Sequence, residues 1–119
     1  MNWYLVKLVF KINNAQQSAP ADFDEQYRLI EARNEEEAFA KSKIIGVKNE
    51  QSFENAEGVL IRWQFIDTAY IKKIDPLSDG VELFSTTHTS EHAREYEEYV
   101  HHQAEVTFSR MSPHAVAID

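Results

Sequence analysis

The stretch YRLIEARNEEEAFAKSKIIG, residues 27–46, decides the fold, because an extended run stops within it and a helix starts. Asn34 is a good N-cap, and Glu37 stands three residues later, where a capping-box carboxylate reaches back to the cap N–H. Glu35, Glu36 and Glu37 set negative charge against the unpaired N–H groups of a first helical turn. Lys41 and Lys43 follow toward the other end, and Gly46 is a natural terminator. The spacing predicts a helix from Glu35 to Ile45 with Ala38, Phe39, Ser42 and Ile45 on one side. The small Ala38 and Ser42 allow close approach to a sheet, whereas Ala40 and Ile44 point elsewhere, toward a neighbour.

Before the helix lie two extended runs. In residues 2–12 Tyr4, Val6, Leu8, Phe10 and Ile12 alternate on one face, and the other face, Trp3, Leu5, Lys7, Val9 and Lys11, is also largely apolar. A strand with one solvated face shows cleaner polar alternation, so this one reads as central and covered at least partly on both sides. Residues 13–22 hold turn formers and read as a loop. Residues 23–32 resume the alternation, with Phe23, Tyr27 and Leu29 on one face and Arg28 and Ile30 on the other.

After the helix, residues 47–58 are polar. VLIRWQFIDTAYI (59–71) is then a strong strand with Val59, Ile61, Trp63 and Phe65 on one face, and its apolar phase shifts after Asp67, the signature of a bulge. DPLSDG (75–80) is a turn, VELFSTTH (81–88) a fourth strand, and Ser90 the cap of a second helix over 91–104. Ala93, Tyr96, Tyr99 and Val100 form that helix's apolar stripe. Val106 and Phe108 suit a short further strand in a C-terminal tail, 106–119, that is loose or docks on the sheet or a partner.

The expected architecture is one α+β domain over residues 1–105. It has a four-stranded antiparallel sheet built β-β-α-β-β-α in the order 2-1-3-4, with both helices on the Tyr4–Ile12 face. This leaves Trp3, Leu5 and Val9 on an open face, joined there by Leu60 and Ile66. A half-apolar sheet surface needs a cover, from the tail or from a second copy in a homodimer.

Composition narrows the function. The 119 residues have no Cys, which excludes disulfides, thiolate metal sites and a Cys nucleophile. No apolar run approaches the roughly 20 residues that span a bilayer, and no basic leader precedes the first apolar run, so a cytoplasmic protein without a membrane partner is expected. Twelve basic against twenty acidic side chains, with only Lys72 and Lys73 adjacent, disfavour nucleic acid as a partner.

The constellations that carry chemistry are sparse. Glu98-Tyr99-Val100-His101 has the Glu-x-x-His spacing of carboxylate-bridged di-iron bundles, but those need two such motifs, and His102 points about a hundred degrees away from His101. A site near the end of the second helix, using Glu98, His101 or His102, is therefore the second reading, beside that of a solvated helix end. Ser85, Thr86, Thr87 and His88 bring hydroxyls near an imidazole without a nucleophile elbow, and the three glycines stand apart, so no phosphate loop exists. No catalytic residue and no cofactor is expected.

The blocks NWYLVKLVF, FDEQYRLIEARNEEEAFAKSKIIG, RWQFIDTAYI, DGVELFSTT and VHHQA together resemble an uncharacterised bacterial family, the domain of unknown function 4288, over most of residues 2–104. The resemblance implies a small bacterial α+β domain and transfers no catalytic or binding residue. The expected function is a non-enzymatic interaction or regulatory domain that self-associates through the open sheet face.

Overall fold

The computed structural model describes residues 1–16 and 20–111. Its elements are β1 (Asn2–Asn14), β2 (Asp22–Ala32), α1 (Glu35–Lys48), β3 (Gln51–Glu54), β4 (Leu60–Ile74) and α2 (Ala93–Ser109). The fold class is α+β, with one four-stranded antiparallel sheet in the order β2-β1-β4-β3. Strand β1 is interior, as its doubly apolar composition requires, paired with β2 on one side and β4 on the other.

The sheet differs from the expected 2-1-3-4 arrangement in which segments form its second half. The polar run after α1 contains β3, a four-residue strand that closes a hairpin onto the start of β4. Asn55 builds the turn: its Oδ1 accepts from the N–H groups of Glu57 at 2.9 Å and Val59 at 3.0 Å, and Gly58 takes the left-handed φ of 76°. Residues 81–88, expected as a strand, have no regular secondary structure. Within them Phe84 packs on Tyr27 of β2 and Tyr70 of β4 instead of pairing along the sheet edge.

The core lies between the sheet and α1. Tyr4, Val6, Leu8 and Phe10 from β1, Ile30 and Ala32 from β2, and Ala38 from α1 are buried together, with Ile45, Trp63, Phe65 and Ile71 packed against them. The cap of α1 forms as its sequence predicts, Asn34 Oδ1 accepting from Glu37 N–H at 2.8 Å. The box does not close in the expected way, because the Glu37 carboxylate instead accepts from Arg33 Nε at 2.7 Å. The helix also runs past Gly46, which is buried in its interior; Lys48 is the last helical residue and Asn49 the C-cap.

The phase shift in β4 is two bulges. Phe65 pairs with Phe10 and Asp67 with Val9, which leaves Ile66 extra; Thr68 pairs with Leu8 and Tyr70 with Lys7, which leaves Ala69 extra. Between them the bulges turn Thr68 to the core face, where its Oγ1 lies 2.6 Å from the Oγ of the buried Ser42. A hydroxyl pair inside the core is thus satisfied, since Ser42 Oγ also lies 2.6 Å from the Phe39 carbonyl.

The described residues fall into two compact units, one of residues 1–85 and one that begins at Thr86. The first contains the sheet and α1. The second contains α2, which starts one residue after His92 rather than at 91; Ser90 Oγ accepts from His92 N–H at 3.1 Å. It continues through Val106 and Phe108 to Ser109, so no strand forms there, and residues 112–119 of the expected tail lie outside the described residues.

Candidate functional site

Two surfaces of the sheet unit carry exposed apolar side chains. The first is the far face of the sheet, opposite α1. Register places Trp3, Leu5, Lys7 and Val9 of β1 there, flanked by Glu31, Leu29, Tyr27 and Glu25 of β2 and by Ile74, Lys72, Tyr70 and Asp67 of β4. Phe84, beyond β4, packs on both Tyr27 and Tyr70, at ring-centroid distances of 5.4 and 5.7 Å. The chain after β4 therefore returns over the Lys7 row of this face. Leu5, one row further along the same face, is 3% exposed.

The five residues expected at an interface are thereby divided. Leu5 is buried and Trp3 and Val9 are half-buried, whereas Leu60 and Ile66 are exposed. Trp3 lines a cleft of about 440 Å³ with Asn2, Lys73, Ile74, Asp75 and Leu77. Its charged lining residues, Lys73 and Asp75, are of opposite sign. Lys7, between Tyr27 and Tyr70, pairs with Glu25 at 2.6 Å; that hydrogen bond, opposed by partial desolvation, holds its ammonium above the ordinary lysine range.

The second surface is the outer side of α1. Its core side is Ala38, Ser42 and Gly46, all buried. Half a turn round the helix, Ala40, Ile44 and Val47 are exposed, Ile44 at 57% and Val47 at 59%, at the i, i+4, i+7 spacing of a contact stripe. Lys43 and Lys48 border Ile44 and Val47 in a shallow apolar depression. Ala40 and Ile44 thus point away from the core, as the helical spacing predicts. Val47 was read as part of the polar run; the extra turn of helix beyond Gly46 adds it to the stripe.

Glu98, His101 and His102 are all exposed on α2, and because the helix continues to Ser109 the two histidines lie in its middle rather than at its end. Among the described residues no group of three or more His, Asp or Glu side chains is placed to hold a metal ion. His88 packs against Tyr96 with the rings tilted by 37°, 4.9 Å between centroids. No helix among the described residues is long and apolar enough to cross a membrane.

With this geometry in place, comparison with known families is informative. The family model for a domain of unknown function, DUF4288, matches residues 3–85. The chain belongs to the DUF4288 family. No curated protein and no solved structure matches it. The DUF4288 match stops where the sheet unit stops, so the return segment with Phe84 belongs to the family's own domain. The VHHQA block lies beyond the match, and with it Glu98, His101 and His102.

Proposed function

We propose that this DUF4288 protein is a non-enzymatic interaction domain that self-associates. The observation that carries the reading is the two-sided apolar character of α1, which buries one side on the sheet and leaves Ile44 and Val47 in solvent on the other. A helix that is apolar on opposite sides is one expected to be covered on both. The remaining functional geometry is consistent with surface recognition: the perturbed titrating groups Lys7, Glu37 and Asp67 are all explained by neighbouring salt bridges at the surface.

Self-association through the far face of the sheet, by Trp3, Val9, Leu60 and Ile66, is the competing arrangement. It is supported by the exposure of Leu60 and Ile66 and weakened by the burial of Leu5. The test is the solution mass of the full chain by light scattering across a concentration series. A mass that rises toward twice the monomer supports the reading; a monomer at every concentration sinks it.

A further inference from the structure

We propose that the occupant of the outer α1 surface is the same surface of a second copy, packed antiparallel about a two-fold axis. This deepens the self-association reading and rests on it.

The stripe is self-complementary in both shape and charge. Its N-terminal end is acidic, with Glu35 and Glu36, and its C-terminal end is basic, with Lys43 and Lys48. Turning one α1 end over end about the level of Ser42 sets Ala40 of each copy against Ile44 of the other. The same turn brings Glu36 of each copy to Lys48 of the other, since both pairs are symmetric about position 42. A small residue facing a large one is the pattern that lets two helices approach closely. Glu36 and Lys48 take part in no ion pair among the described residues, whereas Lys43 is engaged by Asp67 at 3.0 Å. The antiparallel sense also sets the helix dipoles head to tail.

A parallel arrangement would oppose Glu36 to Glu36 and Lys48 to Lys48, and is disfavoured by like charge. A two-fold contact of this kind is isologous and closes on itself, so the expected product is a dimer rather than a filament. One helix per copy makes a small interface, below about 1,200 Å² of total buried area, in the range of weak and reversible association.

Sedimentation velocity on the full chain, from about 10 μM to about 1 mM, tests this with four proteins and one equimolar mixture. Wild type should show monomer–dimer exchange. Ile44→Glu, which replaces an exposed side chain and leaves the core intact, should weaken dimerisation by about tenfold or more. Glu36→Lys and Lys48→Glu should each weaken it about fivefold or more, because each homodimer then meets like charge at two symmetric contacts. Mixing Glu36→Lys with Lys48→Glu in equal amounts should restore association, since the mixed dimer places opposite charges at both contacts. Circular dichroism establishes that each variant is folded.

Restoration on mixing supports the proposal. A wild-type dimer whose association is unchanged in Ile44→Glu overturns it and leaves self-association to another face, for which loss in Ile66→Glu is the marker. Weakened single variants that fail to recover on mixing overturn the antiparallel register. A wild-type monomer throughout overturns both the proposal and the reading beneath it.

Discussion

Gly46 lies against the ring of Phe65: a methyl group on its Cα would stand 2.6 Å from Phe65 Cζ. Phe65 is itself packed on Phe10, 5.5 Å between ring centroids, so the ring has little room to retreat. At this point α1 sits against the sheet at a distance that only a residue without a side chain permits. Gly46→Ala gains about 1 kcal/mol of helix propensity but forces the helix off the sheet or the ring off its rotamer. A net loss of about 1–2 kcal/mol is expected from overpacking. Urea denaturation checks it, and Phe65→Leu in the same chain should recover part of the loss. A stabilised Gly46→Ala variant would show that the contact yields freely.

The N-cap gives a second expectation. Asn34→Ala removes the acceptor of the Glu37 N–H and should cost about 1 kcal/mol. Asn34→Asp or Asn34→Ser should retain most of the stability, because either oxygen can accept the same bond. Loss of equal size in all three variants would assign the effect to something other than the cap.

Phe84 makes the third. Phe84→Ala removes the ring that joins Tyr27 to Tyr70 and opens the sheet face beside Leu5. Since Phe84 is 43% exposed, the cost should be about half that of a fully buried aromatic, on the order of 2 kcal/mol. A chain ending at Ser85 should fold, and one ending at Gly80 should be markedly less stable. Equal melting temperatures for the two truncations would remove the return segment from the fold's energetics.

Acid should weaken the protein modestly. Arg33 holds the Glu37 carboxyl below its ordinary range, and Lys43, helped by the Thr68 N–H, does the same for Asp67. A carboxylate whose folded pKa is depressed contributes stability that is complete above its unfolded pKa. That contribution is lost as pH falls through the folded value, here below about pH 4. Lys7 has the opposite sign: its raised pKa gives stability present below the ordinary lysine value and lost as pH climbs through the folded one. All three groups are at the surface, so salt should diminish both effects. Melting temperatures against pH, for wild type and for Lys43→Ala, would show whether the Asp67 share of the acid loss disappears with its partner.

Local sequence carried much of this fold. The cap at Asn34, the central position of β1, the face shared by Tyr4, Val6, Leu8 and Phe10, and the phase shift after Asp67 were legible because each depends on residues close in the chain and on the period of two or 3.6. The outward aim of Ala40 and Ile44 follows from the same period. What the sequence did not reveal needed partners far away. Residues 51–54 are a strand only because β4 lies beside them, and their polar composition gives no period to read. Residues 81–88 alternate like a strand, yet they pair with none, and Phe84 packs instead on Tyr27 and Tyr70, which the sheet brings together from distant parts of the chain.

Gly46 shows the division most plainly. Locally, glycine near the end of a helix signals termination, because its freedom suits a C-cap. The helix nevertheless continues to Lys48, and the glycine serves instead to leave room for the Phe65 ring. By itself the sequence determined which residues turn inward on each element. The tertiary structure decided which elements meet, because packing depends on shapes brought together from opposite ends of the chain.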